Sequence, residues 1–180
     1  MHNPKLPIDD MDKRHEGLTQ ALADALKEAA RVCLDRHHVP PLSITIRQSE
    51  REMLADVEWQ ETDNRTRGAW ANEIDTTEMG AYACVLAAVE LFNGLVAVFR
   101  AETETGADYY VAPLGADVDD LEEHIRLEVS GVDRGSESAV RYRLRRKVDQ
   151  LARGGGDIPG IAGVIGFRAQ LILLENLETA

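Results

Sequence analysis

Apolar positions along the chain follow helical spacing in some stretches and strand alternation in others. From Glu16 to about His37, the residues Leu18, Leu22, Leu26, Ala29, Val32 and Cys33 recur at helical spacing, and the helix is expected to stop before Pro40-Pro41. Leu42, Ile44 and Ile46 alternate with Ser43, Thr45 and Arg47, and Ala55, Val57 and Trp59 alternate with Asp56, Glu58 and Gln60. That is the period of two half-buried strands, which pair as a hairpin across residues 48–52. Residues 61–73 read as a polar connector. Asp75-Thr76-Thr77-Glu78 has the form of a capping box, opening a helix that runs to Asn93-Gly94. Tyr82, Val85, Leu86, Val89 and Phe92 form one apolar stripe of that helix, with Glu78 near its middle.

Leu95–Phe99 is a near-continuous apolar run, read as a buried strand. A turn over 103–106 leads to a second strand, Asp108-Tyr109-Tyr110-Val111, and an acidic loop spans 115–123. Ile125, Leu127 and Val129 then alternate with Arg126, Glu128 and Ser130 along a third strand. A helix over 136–153 carries the stripe Val140, Leu144, Val148 and Leu151, with Lys147 near the stripe's centre, and ends at Gly154-Gly155-Gly156, which reads as a linker. Ile161–Phe167 and Leu171–Leu174 close the chain as one or two buried strands. The expected architecture is an α/β fold with a mixed sheet. It divides into a loosely ordered tail (1–14), a helix and β-hairpin extension (15–74) and an α/β core (75–180).

Composition narrows the function. No apolar run approaches the roughly 20 residues that span a bilayer, and the N-terminus lacks the apolar stretch of a secretory signal. Cys33 and Cys84 lie inside predicted helices without CxxC spacing and read as buried thiols of a reducing compartment, so a cytoplasmic location is expected. His37 and His38 fall near a helix C-terminus, where positive charge is favoured, and no matching ligand cluster follows. The net charge of −12 argues against broad nucleic-acid binding. Arg141, Arg143, Arg145, Arg146 and Lys147 nevertheless cluster on one helix. The chain lacks GxxxxGK[ST], GxGxxG after a strand, GxSxG and HExxH, which removes the commonest nucleotide, hydrolase and zinc-protease readings.

Three charged residues occupy positions where a plain role is awkward: Asp108 at a strand start, Glu128 in mid-strand and Lys147 on an apolar helix face. An isolated buried charge costs several kcal/mol unless it is paired or binds a metal. Converging at one end of the sheet, two carboxylates could hold a divalent cation, with the lysine orienting a water. Each residue also has a structural reading. Glu78 could cap its helix, Asp108 could serve the turn after Gly106, and Glu128 could pair with Arg126 or with a basic residue of the next helix. Lys147 could extend past the core edge into solvent, and the arginine run could be a solvated face.

The order helix, three strands, helix, strand over residues 75–175 resembles the core of the PD-(D/E)xK, or restriction-endonuclease-like, nuclease superfamily. On that resemblance Asp108 matches the acidic residue of the second strand, Glu128 the acidic position of the third-strand motif, and Glu78 the helical Glu. The family's in-motif lysine is replaced, since the chain reads Glu128-Val129-Ser130. Lys147, on the following helix, is the candidate substitute, and Gln150, Arg143 and Ser130 are candidate substrate contacts. The resemblance implies a Mg²⁺- or Mn²⁺-dependent nuclease, with Asp108 and Glu128 as metal ligands, acting on DNA ahead of RNA in restriction, repair or phage defence. The alternative is a catalytically inactive nuclease-like domain that binds a protein or a nucleic acid, with the N-terminal extension as a docking element. A homodimer is the default expectation for a soluble oligomer.

Overall fold

The computed structural model describes residues 2–103, 105–154 and 157–178. Gly155 and Gly156 of the linker, Glu104 of the turn over 103–106, Met1 and the last two residues lie outside them. The elements are α1 (Gln20–Asp35), β1 (Leu42–Gln48), β2 (Arg51–Val57), α2 (Asn64–Ala69), α3 (Glu73–Asn93), β3 (Leu95–Arg100), β4 (Tyr109–Pro113), β5 (Ile125–Val132), α4 (Glu137–Arg153), β6 (Gly160–Gly166) and β7 (Leu171–Leu177). All seven strands belong to one mixed sheet in the order β2-β1-β7-β6-β5-β4-β3. The fold is therefore mixed α/β, as the hydrophobic pattern predicts.

β3, β4 and β5 form an antiparallel meander, α4 crosses over, and β6 returns parallel to β5. A parallel return needs such a crossover, because a tight turn can only reverse the chain. β7 then pairs antiparallel with β6 on one side and parallel with β1 on the other. The N-terminal hairpin thus extends the same sheet. Its two-residue turn places Ser49 at φ 55.

The sheet separates two apolar layers. α1 and α3 bury Leu26, Leu86 and Val89 with Leu127, Val129, Ile161 and Ile172, while α4 packs Val140 and Leu144 on Ala162, Val164 and Leu173. α3 lies between α1 and the strands, so its run from Gly80 to Val89 is buried on every side, as an all-round apolar helix must be.

Four expectations need correction. The cap of α3 is Asn72, whose Oδ1 accepts from the N–H groups of Ile74 at 3.1 Å and Asp75 at 3.3 Å. Asp75 lies in the first turn, and the capping box starting there does not form. Residues 61–73 include the short helix α2, begun where Asp63 accepts from the Thr66 N–H at 2.7 Å. The first long helix starts at Gln20, where Thr19 accepts from the Leu22 N–H. Residues 2–14, expected to be loosely ordered, bury Leu6, Ile8 and Met11 in the main core. The Leu6 and Asp56 N–H groups bond the carbonyls of Asp56 and Pro4 along the edge of β2. His15, fully buried, joins this segment to α3 and β3 by accepting from the Ala97 N–H at 2.9 Å and meeting Glu90 at 2.8 Å. Among the described residues no helix is long and apolar enough to cross a membrane.

Candidate functional site

β4 pairs with Ile125–Leu127 of β5, and among the described residues no strand continues along that edge of β5 beyond Leu127. Asp108, the residue just before β4, fills the first vacancy: its Oδ2 accepts the Val129 N–H at 2.8 Å. Its Oδ1 accepts the Tyr82 hydroxyl at 2.9 Å. Arg100, at the end of β3, donates to the Tyr82 oxygen at 3.0 Å, and its guanidinium lies 4.6 and 4.7 Å from the ring centres of Tyr82 and Tyr109. The carboxylate is thus held by a strand amide and a buried tyrosine.

Glu128 follows from the alternation of β5. Leu127 and Val129 face α3, so Arg126, Glu128 and Ser130 face α4, and because α4 covers that face all three are buried. Lys147 of α4 reaches down from above and donates to Glu128 Oε1 at 2.6 Å. It also contacts Gln150 Oε1 at 3.3 Å. Glu128 is 2% exposed. Burial, reinforced by the charge of Asp108, pushes its carboxyl up to about 7, against the opposing pull of Lys147. Desolvation and a like charge outweigh the ion pair. The result is a carboxyl raised to about 7 beside an amine, the kind of perturbed group that clusters at functional sites.

Two clefts meet at Asp108. The first, of about 520 Å³, is lined by Glu78 and Thr77 of α3, Asp108, Ser130 and Gly131 of β5, and Arg143 and Lys147 of α4. The second, of about 530 Å³, is lined by Arg100, Asp108, Glu128, Gln150 and Arg153, among others. Asp108 belongs to both. Gly131 sets how close α3 comes: a Cβ there would lie 2.9 Å from the Thr77 carbonyl oxygen and from its methyl carbon. Only a residue without a side chain allows that approach.

Glu78, Asp108, Glu128, Ser130, Arg143, Lys147 and Gln150 each line one of the two clefts, but not every expected setting holds. Glu78 is exposed at the mouth of the first cleft instead of inside an apolar stripe. It meets the Tyr82 oxygen at 3.3 Å, and that hydroxyl has one proton, which Asp108 claims at the shorter distance. Arg143 and Gln150 are exposed at cleft walls, and Ser130 is buried. Tyr82 and Arg100 were passed over by sequence reasoning. Tyr82 looked like core, and only the pairing of β3 with β4 brings Arg100 opposite Tyr109.

Comparison with protein-family models, with curated proteins and with solved structures finds no match for the chain. Its chemistry therefore has to follow from the site alone. Among the described residues no group of three or more His, Cys, Asp or Glu side chains is arranged to hold a metal ion. The donor set on offer is the two carboxylates of Asp108 and Glu128. Each Asp108 oxygen accepts one hydrogen bond, and Oδ1 also lies 3.7 Å from Arg100 Nη2. Mg²⁺ commonly takes only one or two protein carboxylates and keeps several waters, and Asp108 and Glu128 are two carboxylates lining one cleft.

Proposed function

We propose that the chain is a divalent-metal-dependent phosphodiesterase acting on nucleic acid, DNA ahead of RNA, built on a restriction-endonuclease-like core. The observation that carries the reading is the 2.6 Å contact between Lys147 and Glu128. It supports the view that a lysine displaced onto α4 serves where Ser130 stands in the strand motif. The order α3, β3, β4, β5, α4, β6, with β6 parallel to β5, is in keeping with that core.

On this reading Asp108 and Glu128 would hold Mg²⁺ or Mn²⁺, which when bound would acidify a water and offset negative charge on a phosphate. Lys147 orients the nucleophile and donates toward charge developing on the phosphate oxygens. Tyr82 and the Val129 amide fix Asp108, and Glu78 stands in support at the cleft mouth. Arg143 supplies a cation at the cleft wall. Among the described residues the ion pairs of α4 are Lys147–Glu128, Arg141–Glu137 and Arg47–Glu137. That leaves Arg143, Arg145 and Arg146 without an acidic partner and available to phosphates, despite the acidic total charge.

The test is cleavage of single- and double-stranded DNA and RNA with Mg²⁺ or Mn²⁺, beside Glu128→Gln and Lys147→Met variants. Cleavage by the parent that is lost in both variants bears the assignment out. Cleavage that survives in either variant overturns the roles assigned to Glu128 and Lys147.

The second reading is an inactive nuclease-like domain that binds a protein or a nucleic acid. The saturation of the site favours it: Lys147 is committed to Glu128, and both Asp108 oxygens already accept hydrogen bonds. A thermal melt separates the two, since an ion that binds only the native state raises its stability. Saturable stabilisation by Mg²⁺ or Mn²⁺ favours the enzyme, and indifference favours the binding domain.

A further inference from the structure

A third pocket, of about 290 Å³, adjoins the second cleft, and the two share Arg100 and Glu102. Its walls are Phe99, Tyr110 and His124, with Leu121 and Ile158 also lining it. The three rings form a cluster: the centre of Phe99 lies 4.8 Å from that of Tyr110 and 5.2 Å from that of His124. The cluster depends on an irregularity in the sheet. β3 and β4 pair Ala97 with Val111 and then Phe99 with Tyr110, so one extra residue, Val98, is accommodated in β3. In a regular ladder Val98 would stand opposite Tyr110. The bulge puts Phe99 there instead, and bulges of this kind commonly re-aim a side chain beside a functional site.

His124 is the residue that points to a ligand. It is 1% exposed, and among the described residues neither Nδ1 nor Nε2 has a hydrogen-bond partner. Buried polar atoms are normally paired, because leaving one unmade forfeits its solvation without compensation. An imidazole offers one donor and one acceptor at fixed positions in the ring plane. Two aromatic rings beside it offer faces for stacking. An occupant matching both is a planar heteroaromatic ring with donors and acceptors on its edge. The volume sits at the low end of ligand pockets, which run from roughly 300 to 1,000 Å³, so it suits one ring system and not a whole nucleotide. The remainder of such a ligand would leave past Arg100, a residue that also lines the second cleft, toward Arg153 and the carboxylate pair.

We infer that this pocket takes an unpaired nucleobase, stacked on Phe99 and Tyr110 and hydrogen-bonded by His124, while the attached sugar-phosphate passes Arg100 toward Asp108 and Glu128. Base binding stands on the pocket itself, and the continuation to the carboxylates rests on the nuclease reading above. The substrate would then be a strand able to expose a base: single-stranded, frayed or with the base turned out of the stack.

The experiment measures binding of a short single-stranded DNA carrying a fluorescent adenine analogue, in EDTA so that no cleavage intervenes. The protein is compared with Tyr110→Ala and His124→Phe variants. Stacking should quench the analogue, and Tyr110→Ala should weaken binding by roughly 5- to 150-fold, the range for loss of one base–aromatic contact. His124→Phe keeps a ring in the cavity and removes both nitrogens. It should weaken DNA binding without lowering the melting temperature, whereas a histidine with a purely structural role would leave binding unchanged. A strand of abasic residues binding as tightly as the normal one overturns the proposal, as does unaltered binding by Tyr110→Ala and His124→Phe. Quenching of the free mononucleotide analogue with equal affinity supports the base pocket and assigns the occupant to that source. Because no step needs cleavage, a failed nuclease assay leaves this result standing, and intact cleavage without base binding removes the pocket alone.

Discussion

Replacing Glu128 by glutamine gives a test of the site's electrostatics that needs no substrate. The carboxyl of Glu128 is raised from 4.5 to about 7, chiefly by burial and then by Asp108. Its folded-state value is above its unfolded one, so the protonated form favours the native state. That contribution is fully present below about pH 4.5 and is lost as pH rises through 7. At 1.36 kcal/mol per unit, the group withdraws up to about 3 kcal/mol of stability across this window. Glutamine has nearly the same shape, is neutral at every pH and keeps an oxygen for Lys147 to donate to. The difference in unfolding free energy, variant minus parent, should therefore grow in the variant's favour by up to about 3 kcal/mol between pH 4.5 and 8. With a urea slope of about 1–3 kcal/mol per molar, the two denaturation midpoints should separate by roughly 1–3 M over that range. Carboxylates distant from Glu128 titrate alike in both proteins and cancel. Midpoints running parallel from pH 5 to pH 8 would refute the reasoning, by showing that Lys147 neutralises what burial and Asp108 impose.

Asn72→Ala should cost about 1 kcal/mol by equilibrium unfolding while Asp75→Ala costs clearly less, because the first removes the side chain that accepts the opening N–H groups of α3. The reverse ranking would restore the capping box at Asp75. Gly131→Ala should destabilise the protein by about 1–3 kcal/mol, since the new methyl meets the Thr77 carbonyl at 2.9 Å; unchanged stability would mean that α3 moves aside freely. Burial pushes the Cys33 thiol up to about 12 and the Cys84 thiol higher still. Neither should react with a thiol reagent at pH 8 in the native state, and both should react in denaturant. Rapid native labelling would contradict the packing of α1 on α3.

The parts of this site legible in the sequence were those written in local periodicity. Alternation in 125–130 put Glu128 on one face of β5, and helical spacing put Lys147 on the inner face of α4. The crossover geometry needs both to share a layer, so their contact followed from two short patterns. Asn72 was hidden because Asp75-Thr76-Thr77-Glu78 satisfies the same capping rule three residues later, and only the packing of Thr76 and Thr77 decides between them. Leu6, Ile8 and Met11 carry no period. Their order comes from the edge of β2 and from His15, both distant in sequence. The bulge at Val98 is equally silent, because one extra residue in a continuous apolar run leaves no trace until the strand is paired. Arg100, Tyr110 and His124 were therefore never brought together.

β7 lies between β1 and β6, with Leu171–Leu174 paired in parallel to Thr45–Gln48. During synthesis the hairpin of residues 42–57 is made more than a hundred residues before the strand that joins it to the rest of the sheet. Until then its inner edge is an open β-ladder, the kind of surface that captures other chains. Contacts so remote in sequence also slow the final step of folding, since the intervening loop must close before they form. β7 thus completes the sheet by entering between β1 and β6. Premature termination before residue 171 would leave the hairpin and the other strands present and the sheet divided.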